Sequence, residues 1–377
     1  MMIYSKEPAF INRTGELKFL LAWIDERPEN ILFIYGPKSS GKTTLLYKFV
    51  RENLSSNAFD IKHFNLRKIL IIQYQDFIKA FFEHDYSKEK EDVKEKREYD
   101  LKVFKLSVEV LKGLEGKELD PFVVMEQELK KLNARGIRPI IIIDELQALE
   151  GIYLNGQREL LKELFNFFVA MTKESHLCHV IIASSDGYFI ERIYNDSKLK
   201  KTSKFLEVDY LQKNDVYYWL NNLEKESAIK KFTLTPEQID RTWENFGGSC
   251  WEISRFLGDI LMRAENGRVA NEAFEDEIHK TLIQMRSLYV DYAFTRQRQV
   301  LLSAIRKAWL KGPRFTFGDV QVNLQEGIYE AVPLRDELNN LVRQNFLAYN
   351  PVMAEYTIQG RTMELGLAMY IEMISSL

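Results

Sequence analysis

The residues best suited to chemistry in this 377-residue chain lie in one loop, Gly36 to Thr43, with the sequence GPKSSGKT. The loop fits the pattern G-x-x-x-x-G-K-[ST] and joins an apolar run at 31–35 to a helix-forming segment. Its glycines let backbone N–H groups turn toward an anion at the positive end of that helix. Lys42 would reach the β- and γ-phosphates, and Thr43 would hold Mg²⁺. The pattern predicts an ATP/ADP site formed by Gly36, Pro37, Lys38, Ser39, Ser40, Gly41, Lys42, Thr43 and Thr44.

An acidic pair, Asp144-Glu145, follows four consecutive isoleucines at 140–143. Such a run is typical of a central parallel strand with both faces buried. Carboxylates at its end are unlike core residues, because burying them unpaired is costly. In a phosphate-loop protein Asp144 would hold Mg²⁺, and Glu145 would orient and deprotonate the attacking water. A glutamate directly after the aspartate favours an ATP-hydrolysing protein over a GTPase, and the base-reading motif N-K-x-D is absent.

Two serines, Ser184 and Ser185, follow another apolar run at 180–183. In a parallel sheet this strand end would lie beside that of the acidic pair, where a hydroxyl can contact the γ-phosphate. A plain strand-end cap is the alternative. The sequence therefore predicts Glu145, Lys42, Ser184 and Ser185 as catalytic residues and Thr43 and Asp144 as metal ligands.

The spacing of apolar runs predicts an α/β fold of the phosphate-loop NTPase class, of the type with a catalytic glutamate (ASCE). Five parallel strands are expected near 31–35, 60–66, 140–144, 180–184 and 205–208, with helices flanking the sheet. We expect this ATPase domain to span residues 1–211. A segment dense in charges of both signs, 83–102, interrupts it and is interpreted as a solvated excursion or a partner-docking insert.

Beyond residue 211 the pattern changes to helices. Residues 212–292 are expected to form a helical lid. Residues 293–377 run helix, short strand, helix, helix, hairpin, the order of a winged helix. Its third helix would enter a DNA major groove. That helix carries Arg335 and Arg343 but also Asp336 and Glu337, and residues 296–377 hold 9 basic against 8 acidic residues. Double-stranded DNA and a protein partner, self-association included, both stay open.

The residue content of the chain indicates which class of protein and which cellular location to expect. Hydrophobic residues make up 46% of the chain and charged residues 28%, as in a soluble globular protein, and the net charge of −3 gives no global attraction to nucleic acid or lipid. The two cysteines, Cys178 and Cys250, fit neither a disulfide frame nor structural zinc. Since the start of the chain has no apolar signal core and no run is long enough to span a bilayer, we expect a cytoplasmic protein without membrane contact.

The chain as a whole resembles the archaeal ATPase family, within the STAND class of phosphate-loop NTPases and more distantly related to AAA+ origin-recognition ATPases. The resemblance lies in FINRTGEL at 10–17, GPKSSGKTTLL at 36–46, IIIIDELQ at 140–147, ASSD at 183–186 and FGGSCWEI at 246–253. It implies that Ile11, Asn12 and Arg13 pack near adenine. It also implies that the last segment senses the nucleotide state in the lid, although Cys250 replaces the family's proline.

The chain departs from the family after the 180–183 strand. The resemblance implies a Gly-Arg pair that supplies an arginine to the γ-phosphate, but Thr202 occupies the position of the arginine. Lys201, Lys200 or Arg192 would have to substitute, and a lysine lacks the bidentate fork of arginine. We therefore expect slow turnover or dependence on a partner.

Three functions are compatible with the sequence. The first is an Mg²⁺-dependent ATPase acting as a nucleotide-controlled switch, with the winged helix as its readout. The second is a DNA-binding ATPase related to origin-recognition proteins. The third is a nearly inactive, nucleotide-locked scaffold for protein partners.

Overall fold

The computed structural model describes residues 9–54, 57–68, 70–84, 103–154, 158–196, 201–324, 327, 329 and 331–376. Most of the charged segment and Lys200 lie outside these residues. The strands, in chain order, are β1 Ile31–Tyr35, β2 Phe59–Asn65, β3 Phe82–His84, β4 Phe104–Leu106, β5 Arg138–Asp144, β6 Tyr153–Leu154, β7 Arg158–Glu159, β8 His179–Ala183, β9 Ser203–Glu207, β10 Leu347–Asn350 and β11 Glu355–Ile358.

Sixteen α-helices accompany them in the described part of the chain. They are α1 Thr14–Asp25, α2 Lys42–Asn53, α3 Tyr74–Phe81, α4 Val108–Glu115, α5 Pro121–Ala134, α6 Leu160–Val169, α7 Gly187–Asp196, α8 Lys213–Asn221, α9 Leu223–Ser227, α10 Pro236–Phe246, α11 Cys250–Leu261, α12 Asn271–Tyr292, α13 Arg296–Lys311, α14 Phe317–Gln321, α15 Ala331–Arg343 and α16 Arg361–Ser375.

The main sheet has five parallel strands in the order β2-β5-β8-β1-β9, which confirms the predicted α/β fold. The three central strands are buried along their apolar residues because helices cover both faces of the sheet. The register pairs Asp144 with Asn65 on one side and with Ala183 on the other. The carboxyl ends of β2, β5 and β8 therefore meet along one edge, next to the loop that follows β1.

Helices follow the sheet as far as the C-terminal hairpin. One cluster of buried apolar side chains lies among α8 to α12, and another joins the end of α12 to α13–α16 and the β10–β11 pair. Because α12 contributes to both clusters, the division at 292/293 stays a prediction. The elements from α13 to β11 occur in the predicted order, and an isolated bridge between Phe315 and Tyr356 supplies the short strand. The final helix, α16, was not predicted. The assignment of this part to the winged-helix class also stays a prediction.

The hairpin packs directly on the ATPase domain. A Cβ atom built on Gly187, the first residue of α7, would lie 1.9 Å from the carbonyl oxygen of Tyr349 in β10. Only glycine permits such an approach, and the rings of Tyr188 and Tyr349 pack edge to face beside it. The C-terminal elements therefore lie against the strand edge that carries the site.

Within the described residues, none of the helices combines the length and apolar composition needed to cross a bilayer.

His179 should make the fold sensitive to mild acid. Its Nε2 donates to the carbonyl of Glu26, and its ring meets the Trp23 ring edge to face. Burial lowers the pKa of His179 to about 4 from an ordinary 6.5. Between these values the unfolded chain binds a proton that the folded chain excludes. The free energy of unfolding should therefore decrease as the pH is lowered from about 6.5 to about 4, by up to about 1.4 kcal/mol per pH unit from this residue.

Urea titrations between pH 4 and 7 measure this slope. A His179→Gln variant should lose it, whereas Trp23→Phe, which alters the packing but keeps the imidazole, should retain it. An unchanged slope in His179→Gln would contradict the assignment.

Candidate functional site

The loop between β1 and α2 has the backbone that anion binding requires. Gly36 has a φ of +144°, and a Cβ there would lie 2.2 Å from the carbonyl oxygen of Val208, so no other residue fits. Gly41, with a φ of 96°, is the residue before α2, and no side chain caps the helix. The N–H groups at the positive end of α2 are therefore available to an anion.

Lys42 closes the loop from inside. Its Nζ donates to the carbonyl oxygens of Gly36 at 2.9 Å and Pro37 at 2.8 Å. Burial lowers the pKa of Lys42 to about 8, although the carboxylates of Glu145 and Asp144 oppose the shift. The ammonium group is thus held at the loop by bonds that phosphate oxygens can replace.

Thr43 and Asp144 form a pair suited to a divalent cation. The Thr43 hydroxyl donates to Oδ2 of Asp144 at 2.7 Å, across the gap between the loop and β5. The second oxygen, Oδ1, is buried without a hydrogen-bond partner among the described residues. Burial raises the pKa of Asp144, which Thr43 and the cation of Arg67 oppose. A hydroxyl beside a buried carboxylate with an unused oxygen fits Mg²⁺, which prefers hard oxygen ligands.

Glu145 is held by three neighbours. Its backbone is left-handed, with a φ of 63°, which turns the side chain away from the strand. One carboxylate oxygen accepts from the Arg67 guanidinium and from the Ser185 hydroxyl, and the other accepts from the Gln147 amide. Burial raises the pKa of Glu145, while the cation of Arg67 lowers it. The carboxylate therefore faces the cavity but is occupied by an ion pair.

The two serines after β8 separate. Ser184 is fully buried, and its hydroxyl donates to Oε1 of Gln147 at 3.0 Å, so it faces away from the cavity. Ser185 lines the cavity beside Glu145. Of the two predicted contacts to a phosphate, the geometry supports Ser185, and it makes Ser184 a support for Gln147.

Arg13 fixes the loop from the other side. Its guanidinium donates to the carbonyl oxygens of Ser40 at 2.7 Å and Asp209 at 2.8 Å, and it pairs with Glu16 at 2.9 Å. The three segments that meet here are otherwise far apart in sequence. Arg13 therefore orders the loop that surrounds the anion site.

The other two residues of that segment lie on different sides. Ile11 is buried with lid residues and lines the cavity, as expected of an adenine contact. Asn12 is exposed, and its amide donates to Asp215 at the start of the lid. Asn12 therefore ties the segment to the lid instead of facing the cavity.

One cavity of about 800 Å³ joins these groups. Its lining includes apolar side chains as well as residues of the loop and of the strand ends. The lid supplies Trp251 and Arg255, and the C-terminal part supplies Asn345, Gln359 and Met363. Gln359 and Tyr210 both donate to the carbonyl oxygen of Lys38 at the tip of the loop, at 3.3 and 3.0 Å. All three parts of the chain thus contribute residues to the cavity lining. The predicted residues that line it are Ile11, Arg13, Lys38, Ser39, Ser40, Gly41, Lys42, Thr43, Thr44, Glu145 and Ser185.

Of the three substitutes expected for the family's arginine, the two that the structure describes do not line the cavity. Arg192 forms an ion pair with Glu150, and Lys201 is absent from the cavity lining. Lys200 lies outside the described residues. Sequence reasoning missed Arg67, which reaches Glu145 from the end of β2, and Arg255 of the lid. The available signal for Arg67 was its position directly after the second predicted strand.

Arg335 and Arg343, the proposed DNA contacts, lie near acidic groups of the ATPase domain. Burial raises the pKa of Asp186, and the nearby cation of Arg343 opposes that rise. Arg335 and Glu191 act in opposite directions on the pKa of Tyr349. Part of the positive charge of α15 is therefore directed at α7 and the strand edge.

Replacement of Arg13 by alanine should loosen the loop. The change leaves the buried carbonyl oxygen of Ser40 without its guanidinium donor. Loss of hydrogen bonds from a charged donor costs about 1.5–3 kcal/mol each, so we expect a loss of at least about 2 kcal/mol in unfolding free energy. Chemical denaturation measures it.

Arg241→Ala is the matched control, because Arg241 also makes several bonds to acidic groups but on the exposed face of α10. It should cost less than about 1 kcal/mol. Equal losses in the two variants would refute a special role of Arg13.

Comparison with known proteins agrees with the geometry. Residues 10–256 match the family model of an ATPase domain found predominantly in Archaea. An uncharacterized ATP-binding protein of Methanocaldococcus jannaschii is 37% identical over 346 residues, covering 90% of this chain and 89% of the relative. Another from the same organism is 39% identical over 251 residues, covering 66% of this chain and 70% of the relative.

Solved structures show the same fold. A Walker-type ATPase of Pyrococcus abyssi superposes with a TM-score of 0.64 at 18% identity, covering 97% of this chain and 99% of the other. The ORC2 protein of Aeropyrum pernix, in ADPNP–ADP complexes, superposes with a TM-score of 0.56 at 12% identity, covering 99% and 97%. At these identities the likeness concerns the phosphate-loop NTPase fold alone. Because the family model matches residues 10–256 and the first relative matches over about nine tenths of both chains, this chain belongs to the ATPase-domain family found predominantly in Archaea.

Proposed function

We propose that the chain binds ATP with Mg²⁺, hydrolyses it slowly, and acts as a nucleotide-controlled switch whose C-terminal part changes position. The observation that carries the proposal is that Lys42, Thr43 and Glu145 line a single cavity, with the buried carboxylate of Asp144 bonded to Thr43 behind them. An ammonium group, a hydroxyl–carboxylate pair and a second carboxylate together fit phosphoryl transfer to water. Membership of the STAND class is part of the same proposal.

The chain's own groups divide the task. Phosphate oxygens replace the carbonyls of Gly36 and Pro37 as partners of Lys42, and the N–H groups at the start of α2 bind the remaining oxygens. Thr43 and Asp144 would hold Mg²⁺, which when bound neutralises charge on the β- and γ-phosphates. Ser185 positions the terminal phosphate, and Glu145 orients a water and accepts its proton.

The apolar end of the cavity suits a purine ring. Phe10, Ile11, Ile229 and Leu257 line it, with Ile11 packed in the same cluster as the lid helices. An aromatic base buried here would join the ATPase segment and the lid through one apolar contact. We propose that adenine occupies this end, which places the phosphates toward the loop.

The switch proposal rests on bonds that join the lid and the C-terminal part around the cavity. Thr362, in the first turn of α16, donates to Glu252 of α11 at 2.6 Å. Arg361 donates to the carbonyl oxygen of Glu244 at 2.8 Å, and Gln359 contacts the loop at Lys38. A nucleotide that moves either the loop or the lid must alter these bonds. The C-terminal part would then report which nucleotide is bound.

The alternatives have less support. DNA binding by α15 requires Arg335 and Arg343 to separate from the acidic groups near them. An inactive scaffold would not need a carboxylate aimed into the cavity beside a cation site. Both remain outcomes that the experiments below can reveal.

Lys42→Ala and Glu145→Gln separate binding from hydrolysis. Loss of the ammonium removes charge-assisted bonds worth about 1.5–3 kcal/mol each, so ATP affinity should fall about 10- to 100-fold or more. Glu145→Gln keeps the shape but removes the base, so single-turnover hydrolysis should fall about 10²- to 10⁴-fold with affinity nearly unchanged. Calorimetry and rapid quench with labelled ATP measure the two effects.

Arg51→Ala is the matched control, since Arg51 lies on the exposed face of the same helix as Lys42, 60% exposed. Its affinity and rate should match those of the unchanged chain. Normal hydrolysis by Glu145→Gln would contradict the assigned base, and undiminished ATP affinity in Lys42→Ala would contradict the site.

Thr362→Val tests the switch. The variant keeps the shape but removes the bond to Glu252, so the start of α16 should open more often in the ADP complex. A hydrogen bond to a charged group is worth about 1.5–3 kcal/mol, which predicts about 10- to 100-fold faster amide exchange at 359–364. Hydrogen exchange with mass spectrometry, with ADP and with ATP in the Glu145→Gln background, measures it.

Thr357→Val serves as control because Thr357 donates to the carbonyl of Pro313 within the C-terminal part. It should not change exchange at 359–364. The switch proposal fails if exchange there is the same with ADP and ATP and Thr362→Val leaves it unaltered.

A further inference from the structure

We infer that Arg67 contacts the terminal phosphate of ATP and supplies the catalytic cation that the sequence lacks after β8. No motif assigned a role to this residue. The inference rests on the proposed ATPase function and extends it by naming the group that stabilises the charge of the transferred phosphate.

The position of Arg67 is fixed by the chain around it. It lies in the single 3₁₀ turn Leu66–Lys68, directly after β2, and its backbone N–H donates to Oδ1 of Asn65 at 3.2 Å. Asn65 is in register with Asp144 on the neighbouring strand. The turn therefore starts beside the acidic pair, at the strand edge where the site lies.

The guanidinium group extends across two strand ends. It forms an ion pair with Glu145 after β5 and donates to the Ser185 hydroxyl after β8 at 3.3 Å. These two side chains are the proposed base and the proposed phosphate contact. A terminal phosphate held between the loop and these groups would lie within reach of the same guanidinium.

The other cations of the described cavity lining are less suitable. Lys42 is bonded to the loop carbonyls of Gly36 and Pro37 and already has its own role toward the phosphates. Arg13 is committed to two backbone carbonyls and to Glu16. Lys38 lies at the tip of the loop, and its carbonyl oxygen accepts a hydrogen bond from Gln359 of the C-terminal part. Arg255 belongs to the lid, where its guanidinium lies 5.7 Å from the Trp251 ring centre. Arg67 alone among them is in contact with Glu145.

Charge and exposure allow Arg67 to exchange partners. The Arg67 side chain is 53% exposed, whereas that of Glu145 is 8% exposed, so the arginine can move without leaving a buried position. A bound triphosphate carries more negative charge than one carboxylate. It can also offer two oxygens to the guanidinium fork, whereas Glu145 offers Arg67 one. The guanidinium would shift from Glu145 to the γ-phosphate and leave the carboxylate free.

This exchange links the presence of the third phosphate to activation of the base. The water oxygen attacks the γ-phosphorus, the bond from phosphorus to the β–γ bridging oxygen breaks, and Glu145 accepts the proton of the water. The products are ADP and inorganic phosphate, and no further reactant is needed. With ADP alone, Arg67 stays paired with Glu145.

Arg67→Ala, Arg67→Lys and Arg138→Ala test the inference in the full chain. Removal of a preorganised cationic donor should lower the single-turnover rate about 10²- to 10³-fold. ADP affinity should stay within about twofold, while binding of ADP with aluminium fluoride, a mimic of the transferred phosphate, should be lost. Arg67→Lys should recover part of the rate, because lysine restores the charge but not the fork.

Arg138 is the matched control. Its side chain is 54% exposed and lies 3.9 Å from the carboxylate of Asp25, at the opposite end of β5 from Glu145. Arg138→Ala should keep the rate and the binding of ADP with aluminium fluoride. Melting temperatures show whether each variant is folded, and Arg67→Lys provides the decisive rate should Arg67→Ala be unstable.

The outcomes separate this inference from the proposed function. Arg67→Ala that hydrolyses ATP as fast as or faster than the unchanged chain, or still binds ADP with aluminium fluoride, shows that Arg67 only restrains Glu145 and overturns the inference. An unchanged chain that neither binds nor hydrolyses ATP would overturn the proposed function itself. Hydrolysis that is lost in Glu145→Gln but intact in both Arg67 variants would overturn the role of Arg67 alone.

Discussion

The hydrogen bond from Thr43 to Asp144 is the interaction on which the site depends, because it joins the loop after β1 to the strand end of β5. The two residues are separated by 101 positions, and β8 lies between their strands in the sheet. Only a continuous parallel sheet with a fixed register holds these two ends at that separation. The buried isoleucines of β5 and the apolar residues of β1 and β8 therefore hold the site residues at the required distance from one another.

Charges collected at this edge would be costly if they were not mutually compensated. Lys42, Arg67, Asp144 and Glu145 lie together, and each influences the pKa of others in the group. Two cations and two carboxylates balance one another without any ligand. A phosphate group that enters disturbs this balance, so existing ion pairs must be exchanged for new ones. The arrangement favours ligands that bring both negative charge and a divalent cation.

The fold could be predicted from the sequence because a strand that is buried on both faces appears as a continuous apolar run. The four isoleucines of β5 and the apolar runs of β1 and β8 predicted the strands and their ends, and the loop motif located Lys42 and Thr43. Contacts between distant segments left no such signal. Gln359 reaches the loop across 321 positions, and Arg67 is one arginine among many until β2 is seen to pair with β5. Ser184 and Ser185 could not be separated, since neighbouring residues at a strand end differ only in direction.

The contribution of three parts of the chain to the cavity lining also bears on how long a ligand stays. The cavity is bounded by the loop and strand ends, by the lid through Trp251, and by the C-terminal part through Gln359 and Met363. A molecule in this space contacts residues from all three parts at once. A change in how those parts pack against one another would therefore alter how tightly the molecule is held and how long it stays.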